Sequence, residues 1–238
     1  MTIEIIPAIM PNSFQDLEDH MGVVAQAVPL VQVDVMDGIY VPSRGWPHPG
    51  SYDFEELVQH RCDLPYLSEL ELEVDLMVAT PEREAVRWIR AGARRVIIHY
   101  RSVDDIFNPI RAVREHTVPA DSPLATEVGL AIDPDQTVEE LEEVIPFVDY
   151  IQCMGIENVG YQGEGLSSRA LSTIAALRRK HPDLIISVDG GVKIDNAVSL
   201  VEAGANRLAV GSAIWESEDP VAVIEELEEM VNDQQATE

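Results

Sequence analysis

Short, almost wholly apolar runs alternate along this chain with longer amphipathic ones. The apolar runs fall at 3–10, 29–36, 72–78, 94–100, 127–132, 148–154, 184–190 and 207–214. The amphipathic runs fall at 13–28, 53–60, 80–93, 103–116, 137–145, 167–181, 193–205 and 219–231. Near-continuous apolarity over seven or eight residues predicts strands of a parallel sheet buried on both faces. The helical runs open on cap-forming residues, Ser13, Thr80, Thr137, Ser167 and Asp219, and two close on Gly92 and Gly204. Eight strand–helix repeats with no break in composition predict a single-domain (β/α)8 TIM barrel over residues 1–231, with a frayed tail at 232–238. An open, doubly wound sheet is the architectural alternative.

Composition narrows the partners. The 238 residues hold 16 Lys and Arg against 43 Asp and Glu, a formal net charge of -27. Such a surface repels a phosphate backbone, so nucleic acid is excluded as a partner. A small phosphorylated sugar is not excluded, because backbone N–H groups can hold its phosphate locally. Lys180 and Lys193 are the only lysines, and an acidic, lysine-poor surface suits a high-salt cytoplasm in which screening weakens self-repulsion. Two cysteines, Cys62 and Cys153, suggest neither a disulfide framework nor a zinc site. The N-terminal stretch lacks a basic region followed by a long apolar one, and no apolar run reaches about 18 residues. The expectation is a soluble cytoplasmic protein with no membrane segment.

The polar residues inside the apolar runs are the candidate chemistry. The second strand carries Gln32 and Asp34, the third Asp75, the fourth ends in His99, the sixth carries Gln152, and the seventh ends in Asp189. An unpaired buried carboxylate costs several kcal/mol or shifts its pKa. Three of them from three strands are hard to explain as packing, and the C-terminal strand ends are where such barrels hold their active sites. Asp37, just before Gly38, reads instead as a turn residue. Glycines form a second group: Gly190 and Gly191 after the seventh strand, Gly211 with Ser212 after the eighth, and Gly160 and Gly163 after the sixth. The turns after the last two strands are where barrels commonly hold a phosphate.

Over nearly its whole length the chain resembles the ribulose-phosphate 3-epimerases. The resemblance rests on "VDVMDGIYVP" in the second strand, "DLMV" in the third, "IQCMG" in the sixth, and "VDGGV" with "AGANRLAVGSAIW" in the last two. It implies interconversion of ribulose 5-phosphate and xylulose 5-phosphate through an enediolate, with Asp34 and Asp189 as the acid–base pair. Met36, Met77 and Met154 match methionines that line the family's site. The resemblance also implies a homo-oligomer, and no organic cofactor is expected.

Departures accompany the likeness. Where the family usually places two metal-binding histidines, this chain has Gln32 and Asp75. The set Gln32, Asp34, Asp75 and Asp189 offers oxygen alone, which suits Mg²⁺ or Mn²⁺ better than Zn²⁺. Ala8 and Pro11 stand where serines are typical, and Gln162 and Glu164 interrupt the glycine-rich loop. The loop 41–56 is long, and Arg44, Trp46 and His48 are within reach of the barrel mouth. An epimerase or lyase for a different phosphosugar, or a non-catalytic phosphosugar-binding barrel, therefore stands as the alternative. A Schiff-base aldolase is disfavoured, since neither lysine ends a strand.

Overall fold

The computed structural model describes residues 2–118, 122, 125–157, 159–160 and 165–235. The loop positions Asn158, Gln162, Gly163 and Glu164 and the last three residues lie outside the described residues. The strands are β1 (Glu4–Ile9), β2 (Leu30–Met36), β3 (Glu71–Met77), β4 (Arg95–His99), β5 (Glu127–Ile132), β6 (Tyr150–Met154), β7 (Ile185–Asp189) and β8 (Arg207–Val210). They form a closed barrel in chain order, with β1 parallel to β2 and β8, β2 to β3, β3 to β4, β6 to β7 and β7 to β8. The (β/α)8 fold holds and the open sheet does not.

By contacts the chain divides into two compact units, 8–130 and 1–7 with 131–238, and the division runs through β1 and β5 themselves. In the first unit β2, β3 and β4 lie side by side with Asp34 opposite Asp75 and Asp75 opposite Ile97. Side chains alternate along a strand. Val31, Val33 and Val35 of β2 are therefore on one face, towards the helices, and Gln32, Asp34 and Met36 on the other, all of them buried. The helices of this unit are α1 (Phe14–Val24), α2 (Tyr52–Val58), α3 (Pro81–Ala91) and α4 (Phe107–His116). In the second unit β6, β7 and β8 place Gln152 opposite Ser187 and Met154 opposite Asp189. They are covered by α5 (Val138–Leu141), α6 (Ser168–Lys180), α7 (Ile194–Ala203), α8 (Ser212–Trp215) and α9 (Pro220–Gln235).

The caps largely follow the sequence. Ser13 Oγ accepts from Asp16 N–H, Ser167 Oγ from Arg169 N–H and Asp219 Oδ1 from Ala222 N–H. Glu140 reaches back to Thr137 N–H at 2.7 Å. Thr80 sits at its cap position without a side-chain bond; Pro81 follows it and needs no N–H partner. Gly92 and Gly204 end their helices at φ 111° and 121°, the left-handed region that disfavours any Cβ.

Three expectations are corrected. The eighth apolar run was read as strand to residue 214, but the strand stops at Val210 and Ser212–Trp215 is a helical turn. The run 137–145 gives only one helical turn, Val138–Leu141. Trp46 does not reach over the barrel mouth. Trp46 is buried on the helix side, its ring centroid 5.7 Å from Phe14, 5.6 Å from Phe54 and 5.7 Å from Trp88. Its N–H donates to Pro11 O at 2.8 Å. His48 is half-buried beside it, and burial pushes its imidazole below the ordinary value despite the nearby Glu84 and Asp37. The exposed Arg44 turns back to donate to Asp37 O at 3.3 Å.

Candidate active site

Asp34 and Asp75 face the same side because they are register partners on adjacent strands, and Asp189 ends β7. One oxygen from each of the three carboxylates lies within 4.8 Å of the others, and all three residues are buried. Each carboxylate is also held by a nitrogen of a buried neighbour. Gln32 Nε2 donates to Asp34 Oδ1 at 2.8 Å, from two residues earlier on the same strand face. His99 Nε2 meets Asp75 Oδ1 at 2.9 Å, with 1% and 0% of the two side chains exposed. With Asp75 ionised, the imidazole Nε2–H is the donor. Gln152 Nε2 donates to Asp189 Oδ2 at 3.4 Å, while its Oε1 accepts from Ser187 Oγ at 3.3 Å. A carboxylate has about four acceptor positions, so one such bond fixes orientation and leaves capacity for a cation or a substrate proton.

The packing around these groups is soft and apolar. Met36, Met77 and Met154 are each buried beside the acids: Met36 and Met77 lie two residues beyond Asp34 and Asp75, and Met154 is the register partner of Asp189. The Tyr40 ring lies against His99 at 5.4 Å between centroids. Tyr40 was not anticipated; it follows the strand in an irregular segment, where no periodicity flags it. The sequence marks Gln152 as a polar strand residue but carries no sign of its pairing with Asp189, which joins residues 37 positions apart.

The glycines are required by close approach. A Cβ on Gly155 would stand 2.0 Å from Gly190 O, and one on Gly191 would stand 2.8 Å from Leu166 N. Gly190 and Gly191 have φ of 96° and 71°. The turn after β7 is thus pressed against the segment after β6, and Gly155 N–H donates to Asp189 O at 2.6 Å. The structure gives these glycines a packing reason that the sequence did not show. Gly211 precedes the short helix α8, whose first residue is Ser212. Gly160 has φ of 90°; Gly163 lies outside the described residues.

Asp37 is a turn residue, and more. Burial opposes its ionisation, but three backbone N–H groups outweigh that and hold the carboxyl below its ordinary value. Ile39 and Tyr40 donate from its own turn, at 2.7 and 3.0 Å. Ala79 donates at 2.8 Å from just beyond β3, so Asp37 ties the exits of two strands together. Cys153 is buried and its thiol is pushed up to about 12 by that burial, which leaves it inert.

Fold and site together define a (β/α)8 barrel with an acidic group on its strand ends. The chain belongs to the ribulose-phosphate 3 epimerase family, whose pattern matches residues 4–215. Among its relatives is a ribulose-5-phosphate-3-epimerase of Arabidopsis thaliana, 30% identical over 222 residues, covering 91% of this chain and 73% of that one. The Bacillus subtilis ribulose-phosphate 3-epimerase is 29% identical over 231 residues, covering 94% and 98%. Solved structures of similar fold include a 3-hexulose-6-phosphate synthase, with TM-score 0.67 and 19% identity over 97% of this chain and 100% of that one. The protein titled KGPDC from Streptococcus mutans has TM-score 0.70 at 12% identity, over 98% and 99%. At these identities the two structures bear on the fold alone.

Proposed function

We propose that this chain interconverts D-ribulose 5-phosphate and D-xylulose 5-phosphate, with Asp34 and Asp189 as the two groups that move the proton at C3. The observation that carries the reading is the convergence of Asp34, Asp75 and Asp189 in one buried group, in a chain of this family. The C3 hydrogen is acidic because it lies beside the C2 ketone. One carboxylate removes it, and the electron pair moves into the C2–C3 bond while the ketone oxygen takes up the charge. The result is an enediolate. The other aspartate, in its acid form, returns a proton to C3 from the opposite face and inverts the centre. After turnover the two aspartates have exchanged protonation states, so the reverse reaction uses the same pair with roles swapped. Acid–base help of this kind supplies about 10²–10⁴ in rate.

The neighbours have supporting parts. Gln32 and Gln152 orient the two aspartates. The three methionines exclude water and present a polarisable surface. The N–H groups of the turns at Gly190, Gly191, Gly211 and Ser212, with the loop of Gly160 and Gly163, are assigned to the phosphate. His99 is assigned to the substrate side of β4, where it also fixes Asp75.

The donor set fits a divalent cation. Two full charges 4.8 Å apart repel by about 3.5 kcal/mol at an effective dielectric of about 20, so three buried carboxylates call for a positive charge or a shared proton. Oxygen ligands alone favour Mg²⁺ or Mn²⁺ over Zn²⁺. Asp34, Asp75 and Asp189, with the Gln32 amide oxygen, are the residues that would hold it. When bound, the ion would stabilise the negative charge that develops on the substrate oxygen.

A second reading is an epimerase or lyase for a different phosphosugar. It is favoured by the Asp75–His99 pair, which puts the imidazole on β4 and a carboxylate where the resemblance has a histidine. Purified protein given ribulose 5-phosphate separates the readings. Xylulose 5-phosphate should form, with the rate falling in chelator and recovering with Mn²⁺. No turnover with or without metal contradicts the proposal. If the sugar phosphate nevertheless binds, the chain is a binding barrel.

A further inference from the structure

The helix α6 departs from the charge pattern of the rest of the molecule. Over Ser168–Lys180 it carries Arg169, Arg178, Arg179 and Lys180, four of the chain's 16 cationic side chains, and none of its 43 acids. Its inner face is spoken for by the buried Ala170, Ile174 and Leu177. Arg178 is used within the fold: it donates to Gly204 O at 2.8 Å and to Asn206 Oδ1 at 2.5 Å. Lys180 is paired with Glu139 at 3.2 Å and with Glu142 at 2.7 Å. Arg169 and Arg179 are exposed, and among the described residues neither guanidinium has an ion-pair or hydrogen-bond partner. In an acidic chain that leaves the two forks available for an anion from outside.

These two arginines flank a groove. The cavity, about 870 Å³, lies between the segment Pro134–Glu139 and the α6 face of Arg169, Ser172, Thr173, Ala176, Arg179 and Lys180. Those α6 positions follow the three-and-four spacing of one helix face. The groove exists because α5 is a single turn, Val138–Leu141, beside a 13-residue α6. The flank of α6 that a full-length neighbour would cover is left open. Arg169 is also in the first turn of α6, where the helix dipole repels a cation. An anion placed between the arginines and the helix start removes that conflict.

We propose that the groove between the β5–α5 turn and α6 is a binding site for a small metabolite with phosphate groups at two ends. Ten residues of helix separate Arg169 from Arg179, about 15 Å at 1.5 Å per residue. Side chains reaching inward from both ends bracket a molecule of sugar-bisphosphate size, and the volume is that of an ordinary small-molecule pocket. Each guanidinium forks onto a phosphate, and the Ser172 and Thr173 hydroxyls lie between. Two acids line the groove, Asp135 and Glu139; Glu139 is already paired with Lys180, so the two arginine forks face one remaining carboxylate. The site is separate from the strand-end carboxylates and holds whatever reaction those perform.

Calorimetric titration with a hexose 1,6-bisphosphate and with inorganic phosphate tests it, in chelator and moderate salt. Full-length wild type should bind the bisphosphate at least about tenfold more tightly than phosphate. R169Q and R179Q should each weaken the bisphosphate at least fivefold, and the double variant should lose one binding site per chain. The R169K/R179K variant should retain weakened binding. Any phosphate-binding site elsewhere is untouched by these changes, so it persists in the double variant and is subtracted. Identical titrations of wild type and R169Q/R179Q, or no binding to wild type, overturn the proposal. Unchanged melting temperatures show that lost binding is not lost folding.

Discussion

A carboxylate inside an apolar strand is costly, and the chain spends three where β2, β3 and β7 end. If Asp34 and Asp189 are the proton-transfer pair, D34N and D189N should each lower turnover by a factor of about 10³ or more. Melting temperatures of both should hold or rise, since each change removes a buried charge; equal loss of fold and activity would contradict the assignment. Q152A should give a smaller loss in turnover, because Gln152 orients Asp189 and does not touch the reacting atoms. Asp37 makes a different prediction. Its carboxyl is held below the ordinary 3.8 by three N–H donors, against the opposing effect of burial. The ionised form is therefore the one the fold favours. Its contribution is complete above the unfolded value and is lost as pH falls through the folded one. D37N should cost about 1–3 kcal/mol at neutral pH, and the gap in stability from wild type should close in acid. An unchanged gap at low pH would contradict it. Asp34, Asp75 and Asp189 were legible because charge interrupts hydrophobic pattern. The Gln152–Asp189 and Asp75–His99 pairs and the Tyr40 contact were not, because each depends on a contact between distant positions.

At the scale of elements, alternating apolar and amphipathic runs located all eight strands, since a parallel barrel buries both strand faces and leaves an unmistakable signature. Misreadings fell where tertiary contacts override local pattern. Gly211 ends β8 early and starts a helical turn. Trp46, in the loop after β2, reads as within reach of the barrel mouth because it follows a strand end. It is instead buried on the helix side, among Phe14, Phe54 and Trp88. W46A should cost about 3–5 kcal/mol by the cavity it leaves, seen as a lower denaturation midpoint, with the substrate KM little changed. A large KM change without loss of stability would restore that reading. Within the unit 8–130 the lower ends of the strands carry a second charge set: the buried Arg95 lies 3.9 Å from the buried Glu73 and 3.4 Å from the half-exposed Glu127. R95M should lower the denaturation midpoint, because it removes a cation that lies beside the fully buried Glu73.

For the whole molecule, net charge bears on stability. With a charge of -27 self-repulsion opposes the compact state. Raising KCl from about 0.1 M to about 1 M shortens the Debye length from about 10 to about 3 Å. The melting temperature should rise over that range by several degrees; a salt-indifferent melt would remove charge as a determinant. No described helix is long and apolar enough to cross a membrane. The central claim is that the carboxylate group moves a proton at C3. The most direct measurement is proton NMR of ribulose 5-phosphate with the purified protein in D₂O, with Mn²⁺ or Mg²⁺ added or chelated, at high salt. The account predicts that the C3 proton signal disappears as deuterium enters, that xylulose 5-phosphate appears, and that D34N and D189N do neither. A C3 signal that persists with the wild-type protein under every condition would contradict it.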